Sequence, residues 1–421
     1  MPDKLAIEGG PRAVPEGMVK SWPPVTQADR DAIMSVFESG ELHTRNAPKA
    51  SELERRWAEY CGVAHAILCN GGTQALHIAL MAIGVEPGDE VILPAFSYWS
   101  SAAAVIHASA VPIFVDIQPD TWTIDPALIE DAITERTAAL MPVHIHGMPA
   151  DLDPILEIAH RHGLPVVDDA AQAQGARYRG EVIGGLTDIT GFSLNRLKNL
   201  TGGEGGLVTT DSDGLYECAA ATGGMGGVEV EVKGERRTFF GHGYNYRPQE
   251  FMAALALSQL DRLDEYNAQR REMADYLTEQ LAEIPGIAGP YTPDYAEPVH
   301  FMYVIEFRPE ELDLDVPVEE FGAAAWKALE AEGVPICHWQ RQIMPAMDFF
   351  QREEGYASTS AWRCCGSSVS YDPDDYPIAQ GFAASHAYLR GVYPPNDMEL
   401  MKRYVEAMGK VFGQAQRIIQ T

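Results

Sequence analysis

Between residues 51 and 210, short apolar runs rich in β-branched residues alternate with longer stretches of helical spacing, and turn residues punctuate them. Ala64–Cys69 reads as a strand, Thr73–Ile83 as a helix and Glu90–Pro94 as the next strand. Further strands are expected at Pro112–Asp116, Ala139–Val143, Pro165–Asp169, Ile189–Ser193 and Gly206–Thr210. Such alternation predicts an α/β domain: a mainly parallel sheet with helices on both faces. A single long helix from Pro248 to about Glu283 carries Leu255, Leu257, Leu260, Leu263, Leu277 and Leu281 near helical spacing, and Pro285–Gly286 ends it. Beyond it, a strand at His300–Phe307 and helices at Val318–Glu332 and from Asp397 onward read as a smaller α+β unit. The expected division is therefore 1–250, an N-terminal arm with the large domain, and 251–421, a bridging helix with the small C-terminal domain. A chain of 421 residues, 46% hydrophobic, can fill two such cores.

Charge narrows the function classes. Acidic residues number 61 against 31 basic ones, a formal charge of -30, which repels nucleic acid phosphates and anionic lipid. The longest apolar stretch, near Ala102–Val115, is interrupted by His107 and Pro112 and is too short to span a bilayer. Met1–Lys4 opens without a charged start and apolar run, so a cytoplasmic protein is expected. Six cysteines without a CxxC pair argue against a disulfide framework or zinc module.

Eight lysines are present, and between Lys49 and Lys233 the single one is Lys198. It follows the strand ending Gly191–Phe192–Ser193 and precedes the glycine-rich Thr201–Gly206. The carboxyl end of a sheet strand is where an α/β protein would hold a reactive amine, although alone Lys198 also reads as a surface residue. Asn70–Gly71–Gly72–Thr73 follows a strand and opens a helix, so its free N–H groups suit a phosphate; a plain helix cap has the same appearance. Val166–Val167–Asp168–Asp169 is an apolar strand ending in two carboxylates, of which strand alternation lets one face a site while the other caps or meets solvent. Pro94–Ala95–Phe96–Ser97–Tyr98–Trp99–Ser100–Ser101 supplies aromatic faces after another strand. His144–Ile145–His146 has one-face spacing on a strand but falls short of the three ligands of a catalytic zinc site, and no metal is expected. Thr201–Gly206 and Gly223–Gly227 read as mobile loops. A phosphate cradle, a stacking face, a carboxylate and a lone amine together fit pyridoxal 5'-phosphate.

Asn70–Leu76, Gly88–Pro94, Asp168–Ala173, the Phe192–Gly206 run around Lys198, and Gly243–Arg247 resemble the DegT/DnrJ/EryC1/StrS family of fold type I aminotransferases. The resemblance covers roughly Gly40–Asp264 and continues more loosely to the end. It implies that Lys198 carries the cofactor as an aldimine, that Asp169 holds its pyridine nitrogen protonated, and that Ser193 with the N–H groups of Gly72 and Thr73 binds its phosphate. It further implies that Tyr98 stacks on the ring, that Gln172 lies near the ring hydroxyl, and that Asn245 reaches the phosphate of the neighbouring subunit of a homodimer. His338, in a stretch that partly matches the family's substrate-contacting His-Tyr, is a candidate acceptor contact. Leu197 stands where the family commonly has a small hydroxyl residue.

The implied activity is ping-pong transfer of an amino group from glutamate or glutamine to a nucleotide-linked keto sugar or a keto cyclitol. Three rivals share the scaffold. A dehydratase would have histidine in place of the lysine, which Lys198 argues against; an aminobenzoate-type aromatising synthase keeps the lysine; a non-catalytic regulator would hold the cofactor without converting it.

Overall fold

The computed structural model describes residues 4–42, 47–225, 227–232, 235–240, 242–352, 367 and 369–420, with the backbone alone for 227–232 and 235–240. Seven strands make the large sheet: β1 (His65–Cys69), β2 (Glu90–Pro94), β3 (Val111–Val115), β4 (Thr137–Leu140), β5 (Val167–Asp169), β6 (Ile189–Ser193) and β7 (Gly206–Thr210). β2 pairs in parallel with β3 and β4, and β5 with β6. Bridges from Leu140 to Val166 and from Val143 to Asp169 join the two groups, giving the order β3-β2-β4-β5-β6-β7-β1. Only β7 runs against its neighbours, with Gly206 opposite both Ser193 and Cys69. All five residues of β2 and of β6 are buried, the pattern of strands covered on both faces. The Gly72–Ala82 helix lies on β6 and β7. A Cβ on Gly191 of β6 would stand 2.8 Å from Leu76 Cδ2, so helix and sheet approach there as only glycine permits.

A second sheet, antiparallel throughout, has the order β8 (Ile287–Ala288), β9 (Tyr303–Phe307), β11 (His386–Leu389), β10 (Ile336–Cys337). Helices Val318–Glu332 and Met398–Phe412 cover it through Phe321, Leu329, Tyr404 and Met408. Packing also draws Leu5, Ala13 and Val14 into this core, while the Glu250–Leu260 helix joins the large unit beside Trp57 and Phe192. Glu332 fixes the arm by accepting the N–H groups of Ala6 at 2.7 Å and Ala13 at 3.0 Å.

The long helix expected over 248–283 is two helices, Glu250–Leu260 and Leu263–Leu281. No proline or glycine marks the break. Arg262 leaves helical geometry there, with its guanidinium donating to Asp29 Oδ1 at 2.7 Å, so a distant carboxylate accompanies a turn that local spacing does not show. Thr201–Gly206 is packed rather than mobile: Gly202 N–H donates to the Leu194 carbonyl at 2.9 Å, and Cβ atoms on Gly202 or Gly205 would strike Met252. Gly223 closes a helix and Gly227 opens a strand. Among the described residues, no helix is long and apolar enough to cross a membrane.

Candidate active site

The segments leaving β1, β2, β5 and β6 converge with residues 301, 302 and 339 of the second unit around a cavity of about 420 Å³. Asp169, the last residue of β5, is 4% exposed and lines it. Ser101 Oγ donates to its Oδ2 at 2.6 Å and the Ala171 N–H to its Oδ1 at 3.1 Å. Burial raises the pKa of this carboxyl, and those two hydrogen bonds, Lys198 and His144 offset that only in part. Its neighbour Asp168 neither caps nor meets solvent. It is fully buried on the other side of the strand, 3.3 Å from His144 Nε2.

Lys198 faces the same cavity. Its N–H donates to the Asn195 carbonyl at 2.9 Å, its carbonyl accepts from Trp22 Nε1 at 3.1 Å, and its amine lies 4.2 Å from the centre of the Phe301 ring. Desolvation lowers the pKa of the amine to about 8, against the opposing pull of Asp169.

The helix that starts at Gly72 has 11 residues, extended Gly71 before it and no side chain capping its first turn. The opening N–H groups are thus left to whatever enters the cavity. A Cβ on Gly72 would stand 2.7 Å from Ser193 Cβ, which holds the helix start directly against the end of β6. Thr73 Oγ1 donates to Ser100 Oγ at 2.8 Å, and Ser193 Oγ accepts the Asn195 N–H at 3.3 Å.

Tyr98 lines the cavity, half exposed, and stacks on Trp339 with ring centres 5.4 Å apart, whereas Trp99 turns into the core against Phe349 and Phe350. Gln172 is buried at the cavity wall and its Oε1 accepts the His146 N–H at 2.8 Å. His144 and His146 lie in a turn, not on a strand: Ile145–Gly147 is a single 3-10 turn and His146 has φ 59°. Among the described residues no group of three or more His, Cys, Asp or Glu could hold a metal.

Two of the expected residues stand apart. Asn245, with φ 59°, donates its N–H to the Gly224 carbonyl at 2.7 Å and accepts from Arg247 Nε at 2.7 Å, and it does not line the Lys198 cavity of its own chain. His338 also lies outside: successive residues of an extended segment point opposite ways, so Trp339 enters the cavity while His338 packs on Trp326, ring centres 4.6 Å apart. Sequence reasoning overlooked Ser101, Phe301 and Trp339. Ser101 sits four residues beyond Ser97, one helical turn, which is a usable local signal. Phe301 and Trp339 come from segments far along the chain, Trp339 packing against the core of the large unit, and carry no local signal.

The family model for the DegT/DnrJ/EryC1/StrS aminotransferase family matches residues 24–363. The chain is 43% identical over 256 residues to GDP-perosamine synthase of Caulobacter vibrioides, covering 60% of this chain and 68% of that protein. It is 39% identical over 343 residues to L-glutamine:scyllo-inosose aminotransferase of Streptomyces griseus, covering 77% of this chain and 78% of the relative. Among solved structures, S. venezuelae DesV in complex with a ketimine intermediate superposes with a TM-score of 0.76 at 31% identity, over 92% of this chain and 94% of that one. Sheet order, cavity and sequence thus agree on fold type I, and the chain belongs to the DegT/DnrJ/EryC1/StrS aminotransferase family.

Proposed function

We propose that this aminotransferase uses pyridoxal 5'-phosphate to move an amino group from glutamate or glutamine to a nucleotide-linked keto sugar or a keto cyclitol, as a cytoplasmic homodimer. One observation carries the reading: a half-buried lysine and a buried carboxylate line one cavity with an uncapped helix start. The residues fit the cofactor. The Gly72 and Thr73 N–H groups with the Ser193 hydroxyl offer donors to a phosphate, and the contact of Gly72 with Ser193 leaves no room for a side chain between them. Asp169, whose burial disfavours its charge, is suited to a cationic ring nitrogen. Tyr98 offers an aromatic face at the mouth, and Gln172 a carboxamide at the wall.

When bound, the cofactor supplies the electron sink that makes the donor's α-proton acidic. The chain's own part is to hold and move protons. With its pKa lowered to about 8 by desolvation, the Lys198 amine gives up its proton more readily than a free lysine, so it can accept a proton at Nζ and return it. Ser101 and the Ala171 N–H orient Asp169. Asn245, away from its own cavity, is free to serve the partner's site, which supports the dimer. Cys61, Cys69, Cys218 and Cys337 are free thiols, as in a reducing compartment. The names of the relatives cover both acceptor classes, a nucleotide sugar in one and an inosose in the other.

The test incubates the protein with pyridoxal 5'-phosphate and L-glutamine or L-glutamate, follows the change in cofactor absorbance, and then offers keto sugars and inososes. Conversion by the donor and reversal by one acceptor class is expected; cofactor that binds and is never converted would instead indicate a regulator.

A further inference from the structure

Lys198 sits in a loop where the two residues before it, Arg196 and Leu197, are exposed. Its own backbone is nevertheless tied on both sides. The N–H donates to the Asn195 carbonyl at 2.9 Å, which holds the peptide plane before Cα, and the carbonyl accepts from Trp22 Nε1 at 3.1 Å, which holds the plane after it. Asn199 is anchored through its side chain, by Asn267 and the Val299 carbonyl, which leaves the plane between Lys198 and Asn199 to Trp22. A residue has two soft backbone dihedrals, so holding both planes sets the direction in which its side chain leaves the chain. The flexible stem then starts from one place, and the amine lies 4.2 Å from the centre of the Phe301 ring. The Asn195 tie is local, as in any turn. The other comes from a residue 176 positions earlier.

Trp22 is itself held from several directions and is 6% exposed. Its ring centre lies 5.7 Å from that of Tyr266 and 5.9 Å from that of Tyr393, and the Arg270 guanidinium lies 4.3 Å from it. Two residues earlier, Asn396 clamps Lys20, accepting its N–H at 2.8 Å and donating to its carbonyl at 3.0 Å. Four residues later, the Thr26 hydroxyl accepts from Arg262 at 3.2 Å. The arm that carries Trp22 is rooted in the second core through Leu5 and Val14. Ring packing of this kind would suit a phenyl group as well. A buried indole N–H needs an acceptor, and the one it takes is the carbonyl of the reactive lysine.

The place of the amine matters to its chemistry. Asp169, Glu204 and Tyr98 are the ionisable groups on its cavity wall, Arg196 is on its own loop, and Arg270 lies against Trp22. Desolvation outweighs the pull of Asp169 and lowers the amine's pKa to about 8. An amine free to swing toward solvent would lose that effect and move back up.

We propose that Trp22 is a positioning residue for Lys198: its indole N–H fixes the lysine's backbone, so that the amine is presented to the cavity from one direction. The arm thereby runs a tether from the second core to the reactive lysine. The proposal rests on the aminotransferase reading above, in which Lys198 is the reactive amine.

The experiment treats cofactor-free protein with formaldehyde and cyanoborohydride across a range of pH and follows modification of Lys198 by mass spectrometry. Trp22→Phe keeps a ring among Arg270, Tyr266 and Tyr393 and removes the N–H. The wild-type midpoint near 8 is expected to rise by about one unit in this variant. A midpoint that is unchanged or lower, whatever stability the variant loses in chemical denaturation, means that the bond only satisfies a buried N–H, and it overturns the proposal. If Trp22→Phe does not fold, Trp22 is replaced by β-(3-benzothienyl)alanine, which has the shape of tryptophan with sulfur in place of the N–H; absence of the rise there is equally fatal. In the loaded enzyme, Trp22→Phe should lower kcat about tenfold and leave KM for the amino donor within about twofold, because the direction of the amine counts after the amino donor has bound. Undiminished kcat also overturns the proposal. Failure of the functional reading looks different: wild-type protein would not convert the cofactor, while the midpoints of both proteins remain measurable.

Discussion

At the scale of the residue, Lys198 and Asp169 perturb one another. The amine is lowered by burial and held up by the carboxylate, while the carboxyl is raised by burial and held down partly by the amine. Reductive alkylation of Lys198 by a small aldehyde, followed by mass spectrometry of the cofactor-free protein, should therefore rise with pH around a midpoint near 8. Asp169→Asn removes the negative charge that favours the charged amine, so the midpoint should fall; a midpoint that rises contradicts the coupling. Both residues were legible in the sequence because Asp169 ends a strand of strong pattern and Lys198, the single lysine between Lys49 and Lys233, follows another. The direction of Asp168 was only half legible: alternation separates the two carboxylates, but its burial beside His144 depends on a turn that local spacing misread as a strand.

Among the elements, the Gly72–Ala82 helix determines where an anion can sit. Its first residue touches Ser193, so Gly72→Ala forces either helix or strand to move. The expected cost is about 1–3 kcal/mol in chemical denaturation, together with roughly tenfold weaker pyridoxal 5'-phosphate binding. A variant as stable and as tightly loaded as wild type would contradict the close approach. The break between Glu250–Leu260 and Leu263–Leu281 has a pH signature through Asp29. Burial pushes its carboxyl up, but the Thr26 N–H, Arg262, Ser258 and Thr26 hydroxyl outweigh that and leave the pKa lowered. A carboxyl depressed on folding contributes stability that is full above its unfolded pKa of about 3.9 and is lost as pH falls through the folded value. Arg262→Ala should therefore lower stability at pH 7 by about 1–3 kcal/mol and flatten its fall below pH 4. Equal denaturation curves at both pH values would remove Arg262 from the account of the break. Strand positions were legible from apolar runs, and the break was not, because its partner lies 233 residues away.

Over the whole molecule, one site draws on distant stretches of the chain: Asp169 and Lys198 from the large unit, Phe301 and Trp339 from beyond the bridging helices. Sequence patterns recognise each element by its own period and say little about contacts between distant segments, which is why Trp339 was missed and His338 chosen in its place. The dimer adds a further level. Co-expressed Lys198→Ala and Asn245→Ala chains should recover about a quarter of wild-type activity, because half of randomly mixed dimers contain one intact site if Asn245 serves its partner. Activity no greater than the sum of the two homodimers would place Asn245 in its own subunit.

The most direct measurement is chemical. Purified protein loaded with pyridoxal 5'-phosphate is reduced with borohydride, digested, and searched for the modified peptide. The account predicts one pyridoxyl group per chain, on Lys198, and none in Lys198→Ala. A label on another lysine, or equal labelling of the variant, would contradict it.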